Sequence, residues 1–308
     1  METPISTVNP LWRVWEHTKP FKIPNTIYTL IGYSIAALRT NFYIKELDIM
    51  LDAGISGNMS PDAIFITHCH SDHTANLPFH LYTQKDIQIQ VYVPDKSIEN
   101  FKKYVESSFM LTYDVDSLAE SETYKFYPVS DDEKTFFSLT SMGKLKNISN
   151  LGSFKNKNTI NVETFKCHHT VPCVGYGFSE NKQKLKEEYK QLPGKEIAKL
   201  RMDGVDIYNT ITNYFLVFLG DTSHEVLEDK ELLKYSTIMI ECTFLLEDDL
   251  INAEKTKHMH WNHLGPFVLS HPEITFIVYH FSQRYKGTEI KDFFDKQNYP
   301  NVITWISH

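Results

Sequence analysis

A layered α/β fold is predicted by three observations. Strand-like and helix-like runs alternate along the chain, as sheets covered by helices require. Three strongly apolar runs, 214–219, 237–241 and 274–280, each end in residues with chemical potential: Gly220-Asp221-Thr222, Glu241-Cys242-Thr243 and His280-Phe281-Ser282. A fourth, Ala63-Ile64-Phe65-Ile66-Thr67, leads straight into His68-Cys69-His70-Ser71-Asp72-His73. In open α/β sheets, sites gather at the carboxyl ends of strands.

The elements follow in order. Residues 41–52 alternate apolar and polar side chains and end in Asp52-Ala53-Gly54. Residues 63–67 form an uninterrupted apolar run, the pattern of a buried strand. Ser71 to Phe79 then reads as a helix opened by Asp72 and His73. A short β run at 87–93 stops at Pro94. Asp95 caps a helix through Ser107 that carries Ile98, Phe101, Tyr104 and Val105 on one face. Further strands are expected at 124–128, 135–141 and 159–167, then the three strong strands, a helix at 287–297 and a last strand at 302–306.

At 308 residues and 42% hydrophobic content, there is material for one large domain or two small ones. The four cysteines, Cys69, Cys167, Cys173 and Cys242, form no C-x-x-C pair and read as free thiols in a reducing compartment. Met1 to Thr7 shows no charged stretch followed by an apolar one, so no secretory signal is expected. The apolar run at 27–38 is too short to span a bilayer. A cytoplasmic or nuclear protein without a membrane partner is the expectation. The formal charge of −8 argues against whole-surface nucleic-acid binding but leaves room for a local basic patch.

Three imidazoles and a carboxylate within six residues exceed what a folding core needs. Imidazole nitrogen and carboxylate oxygen suit zinc and similar borderline cations. His68 and His70 converge once the chain turns, and Asp72 and His73 follow, so two pairs of donors on one turn point to two metal ions a few ångströms apart. A His-rich surface loop is the competing reading; the strand–turn–helix setting speaks against it.

H-x-H-x-D-H after a strand resembles the metallo-β-lactamase superfamily. That resemblance implies an α/β fold of the four-layer αββα sandwich type, filling residues 1–308 as one domain with its metal site on one edge. The superfamily includes lactamases, thioesterases, sulfatases, oxidoreductases and nucleases, so fold alone does not settle function. Three later segments narrow it: His169 ahead of Val171-Pro172-Cys173-Val174-Gly175-Tyr176, Gly220-Asp221-Thr222, and His280-Phe281-Ser282-Gln283-Arg284-Tyr285. In this order they are similar to tRNase Z, the endonuclease that removes the 3′ trailer from precursor tRNA, and to its short form, from about Asn25 onward.

The resemblance implies that His68, His70 and His169 hold one zinc, that Asp72, His73 and His280 hold the other, and that Asp221 bridges them. Manganese fits the same donor types. His168 is the competitor to His169. The pair of ions would hold a hydroxide that attacks the phosphate, with Asp72 counted among the catalytic groups, leaving a tRNA 3′-hydroxyl and a 5′-phosphorylated trailer. The family's glutamate–histidine pair, which protonates the leaving oxygen, falls on Glu241 in Glu241-Cys242-Thr243 and on His258 in His258-Met259-His260. Ile240 departs from the family pattern, and the residues after His258 leave His260 in contention. Arg284 is the expected phosphate contact.

Between the third and fourth motifs, Lys182 to Arg201 carries seven basic and three acidic residues, a net charge of +4. The family inserts a tRNA-clamping arm here. Residues 181–203 are therefore expected to form a basic arm, with Pro193-Gly194 as its turn and Lys182, Lys184, Lys186 and Lys190 as substrate contacts. A solvated amphipathic helical pair is the plainer reading. A homodimer is implied by resemblance only. A small-molecule thioesterase or lactonase-type hydrolase of the same superfamily is the alternative function, against which the His280–Tyr285 segment and the basic insert both stand.

Overall fold

The computed structural model describes residues 14–82, 88–118, 123–139 and 159–307. Met1–Thr7, Ile87 and the last residues of the 135–141 strand lie outside them. Two seven-stranded sheets carry the fold. The first runs in chain order: β1 (Phe21–Lys22), β2 (Thr29–Ile35), β3 (Arg39–Ile44), β4 (Ile49–Leu51), β5 (Ala63–Phe65), β6 (Ile89–Pro94) and β7 (Tyr124–Val129). The second comprises β8 (Phe136–Leu139), β9 (Ile160–Cys167), β10 (Cys173–Leu185), β11 (Tyr208–Phe218), β12 (Thr237–Glu241), β13 (Thr275–Tyr279) and β14 (Val302–Thr304), again in chain order. Strands β4 to β7 are mutually parallel, as are β11 to β14; the rest are antiparallel.

Period-2 alternation builds the layers. In β5, Phe65 faces the other sheet and packs in an aromatic cluster with Tyr92, Tyr176 and Phe178, while Ile64 and Ile66 face outward. The inter-sheet core takes Leu30, Phe42 and Leu51 from one side and Val174, Phe218 and Met239 from the other. Outside the first sheet, α3 (Leu77–Leu81) and α4 (Ile98–Tyr113) bury Leu77, Phe101, Val105 and Phe109. Outside the second, α7 (Trp261–Ser270) and α8 (Gly287–Gln297) bury Leu264, Val268, Ile290 and Phe294. Three separate cores between four layers make an αββα sandwich. The remaining helices are short: α1 (Val14–His17), α2 (Ser71–Thr74), α5 (Gly194–Met202) and α6 (Leu250–Thr256). No helix among the described residues is long and apolar enough to cross a membrane.

Several expected elements change shape. The single run at 41–52 is two strands, β3 and β4, because Asp48 adopts φ +49° and turns the chain between them. The helix expected at 71–79 is split into α2 and α3, with Pro78 at the start of the second, where its missing N–H costs nothing. Asp95 opens a 3₁₀ turn, Asp95–Ser97, and α4 begins at Ile98 and runs on to Tyr113, with Tyr104 left exposed. The segment 181–203 is not a helical pair. The ends of β10 and β11 project as a two-stranded ribbon in which Lys182 opposes Ile211 and Lys184 opposes Asn209. A 3₁₀ turn, Glu187–Tyr189, and α5 cap it, and Pro193-Gly194 opens α5.

Candidate metal centre

The candidate side chains converge where parallel strands end. β5 delivers Thr67 and His68, then the chain bends so that His70, Asp72 and His73 return beneath it. This bend needs Gly54: a Cβ there would lie 1.9 Å from the Asp72 carbonyl oxygen and 2.7 Å from that of Thr40. β11 delivers Asp221, β12 delivers Glu241 and β13 delivers His280, while the β9–β10 hairpin supplies His169. His280 is held at φ +65°, a strained position for a non-glycine residue.

Two groups of donors result, sharing Asp221: His68, His70, His169 and Asp221, and Asp72, His73, His280 and Asp221. The carboxylate is divided between them. Asp221 Oδ2 lies 3.7 Å from His68 Nε2 and 4.0 Å from His169 Nε2, and His169 Nε2 lies 3.2 Å from His70 Nδ1. Asp221 Oδ1 lies 3.4 Å from both His73 Nε2 and His280 Nε2. Asp72 Oδ2 lies 3.5 Å and 3.4 Å from the same two nitrogens, which are 3.3 Å apart. Metal–donor bonds of about 2.0–2.1 Å at a tetrahedral angle place donors about 3.3–3.4 Å from one another. The second group has that spacing and the first is somewhat wider. His68 Nε2 and Asp221 Oδ1 are buried without a hydrogen-bond partner, a costly state that a cation relieves. The donor set therefore suits a metal-binding site.

For His68, His70, His169 and the two carboxyls, the electrostatics agree. Burial pushes the pKa of His68 well below its usual value and lowers those of His70 and His169, which keeps these rings neutral, as coordination requires. Burial alone would raise Asp221 and Asp72, but the surrounding imidazoles outweigh it and hold both carboxyls below the ordinary range.

Outer contacts hold the donors in place. Asp52, at the end of β4, accepts from the Thr67 N–H at 2.8 Å through Oδ1 and holds His73 Nδ1 at 2.7 Å through Oδ2. The Lys257 carbonyl takes His169 Nδ1 at 3.0 Å, Thr243 Oγ1 meets His280 Nδ1 at 3.0 Å, and the Ala37 N–H donates to Asp72 at 2.9 Å. Sequence reasoning assigned none of these four. Asp52 left a signal, since it ends an apolar strand just as Asp221 does. The Ala37 and Lys257 contacts are main-chain groups and leave no residue-type signal.

Beside this cluster, Glu241 Oε1 lies 2.7 Å from His258 Nδ1, and His258 Nδ1 is 3.9 Å from Asp221. Glu241 is fully buried and also accepts from the Thr222 and Thr243 N–H groups, each at 3.0 Å. Burial opposes a charge on His258, but Glu241 outweighs it and raises the pKa to about 9. His260 is engaged elsewhere: it caps α7 by accepting from the Asn262 N–H and bonds the Leu246 carbonyl. His168 is also apart, its N–H donating to Thr222 and its carbonyl accepting from Ser223. Arg284 pairs with Asp249 and lies 5.4 Å from the Phe244 ring, with its side chain 50% exposed. On the ribbon, Lys182 pairs with Glu180, Lys186 with Asp206 and Lys190 with Glu187; Lys184 is exposed and forms no ion pair among the described residues.

No family model matches the chain. It is 26% identical over 281 residues to a tRNase Z of Arabidopsis thaliana described as chloroplastic, covering 86% of this chain and 70% of that one. A second Arabidopsis thaliana tRNase Z is 27% identical over 276 residues, covering 86% of this chain and 89% of the relative. Among solved structures, the metallo-β-lactamase fold protein YhfI from Bacillus subtilis superposes with a TM-score of 0.51 at 13% identity, covering 89% of this chain and 95% of that one, and so supports the fold. With the sandwich architecture and these relatives together, the chain has the metallo-β-lactamase type of αββα fold and is similar over most of its length to proteins named tRNase Z.

Proposed function

We propose that this protein removes the 3′ trailer from precursor tRNA. The observation that carries the reading is Asp221, whose two oxygens face two separate donor groups while a buried carboxylate–imidazole pair stands beside them. In it, His68, His70 and His169 hold one zinc, Asp72, His73 and His280 a second, and Asp221 both. Bound there, the cations supply Lewis acidity toward the phosphate and an activated water. Glu241 fixes the tautomer of His258 by taking its Nδ1 side, which leaves Nε2 to give a proton to the departing 3′ oxygen. Attack on phosphorus breaks the P–O3′ bond, so the tRNA keeps a 3′-hydroxyl and the trailer a 5′-phosphate.

The chain acts as one domain with a basic arm. Substrate affinity comes from the ribbon lysines and from Arg284, which exchanges Asp249 for a phosphate; the compartment is the cytoplasm or nucleus, and the active form is a homodimer. The test is incubation with a precursor tRNA carrying a 3′ trailer, with the product ends mapped. A 2′,3′-cyclic phosphate on the tRNA, or no cleavage at all, overturns the reading.

A further inference from the structure

A cavity of about 90 Å³ opens directly beside His258, and the donor groups described above do not account for it. Ser223, Glu225, Lys257 and His263 line it together with His258. Two of its atoms, Glu225 Oε2 and His263 Nε2, are buried without a hydrogen-bond partner. His224 Nδ1 stands 3.8 Å from Glu225 Oε2, beyond hydrogen-bond reach. One wall is flat: the His224 and His263 rings stack with centroids 4.3 Å apart and planes 15° apart. Buried polar atoms left unpaired in a native fold call for a ligand that pairs them.

The reaction says which part of the substrate comes here. His258 must reach the oxygen that leaves, and that oxygen belongs to the last nucleotide retained in the tRNA. The first trailer nucleotide keeps its 5′ oxygen on the phosphate and departs with it. The ribose against His258 is thus that of the terminal tRNA nucleotide, and its base is the group next to the cavity. We propose that this cavity is a subsite for the base of that nucleotide, with Glu225 accepting a hydrogen bond from its exocyclic amino group and His263 Nε2 meeting the neighbouring ring edge. The volume suits the edge of one base and excludes a longer stretch of chain. Adenine, cytosine and guanine carry an exocyclic amino group; uracil offers carbonyl oxygens, which the Glu225 carboxylate repels. The inference rests on the proposed tRNA cleavage and adds a specificity determinant to it.

The experiment uses the full-length zinc-loaded protein and four precursor tRNAs that differ only in the nucleotide before the cut, followed under single-turnover conditions. Wild-type protein should cleave the uracil substrate about ten-fold more slowly than the others. Glu225→Gln, whose amide also donates to a carbonyl, should slow the three amino-bearing substrates by about ten-fold and bring uracil level with them. Melting temperature and metal content are read first, and His263→Gln takes the place of Glu225→Gln if that variant does not fold. Wild-type rates independent of the base, or a variant that slows all four substrates equally, overturn the subsite while leaving tRNA cleavage standing. Failure of wild-type protein to cut any of the four overturns the cleavage reading itself, and the subsite with it.

Discussion

The donor cluster and the basic ribbon both concentrate charged groups, and they hold them in opposite ways. In the cluster, His68, His73, Asp221 and His280 are at most 2% exposed, and His73, His169, His280 and Asp72 each have a further partner that fixes orientation. On the ribbon, Lys182, Lys184 and Lys190 are exposed; Lys182 meets the buried Glu180, and Lys186 and Lys190 pair with exposed acids. Such pairs contribute about 0–1 kcal/mol, are screened by salt and exchange readily. Chemistry that depends on atoms placed within tenths of an ångström is built from buried, doubly held groups. Affinity for an extended polyanion needs only positive charge that can move to meet it.

The sharpest break between the two regions should come from a donor. Asp72→Ala or His73→Ala is expected to reduce cleavage more than about 10³-fold and to lower bound metal in elemental analysis, while filter binding of precursor tRNA stays close to wild type. If affinity collapses in step with activity in the folded variant, the two regions are not separable. Next comes the proposed proton donor. His258→Ala should slow precursor cleavage by about 10²-fold or more, yet slow hydrolysis of bis(p-nitrophenyl) phosphate far less, because nitrophenolate leaves without a proton. Equal losses on the two substrates would place His258 in metal positioning instead.

Asp52→Asn tests the outer support. Losing its charge beside His73 should weaken zinc affinity by about 10- to 100-fold in a chelator competition, before any activity is measured. Unchanged affinity would mean that packing alone orients His73. The smallest effect is expected on the ribbon. Replacing Lys182, Lys184, Lys186 and Lys190 by Ala should weaken precursor binding and flatten its salt dependence, by up to ~0.9 log unit for each duplex phosphate that is no longer neutralised. Three of the four already neutralise nearby acids, so a total change well below the sum for four phosphates is expected. A salt slope that does not move would show the lysines to be a solvated face.

Legibility followed the distance along the chain over which a feature is encoded. His68, His70, Asp72 and His73 lie within one strand–turn–helix segment, so their types and spacing announce the chemistry. Asp52 lies 21 residues before the imidazole it holds, and no local pattern joins them. The ribbon was visible as a charge excess but not as strands, since 181–184 have no apolar face and are held extended by pairing with residues 209–212 across a long connection. Thr243 was in view as the end of a motif, yet its contact to His280 exists only once β12 and β13 lie side by side.

By itself, the sequence determined the kinds of donors, their order and the strand ends that present them, because hydrophobic alternation places those ends at one edge of a sheet. Only the tertiary structure showed which of two nearby histidines stands in each cluster, His169 and not His168, His258 and not His260. His168 and His169 stand side by side where β9 turns into β10, and His169 faces His70 and Asp221; His260 is drawn away by the Asn262 N–H and the Leu246 carbonyl. Which of the two faces inward depends on how the β9–β10 hairpin and the loop after α6 pack against other strands, a non-local choice that no short stretch of sequence encodes.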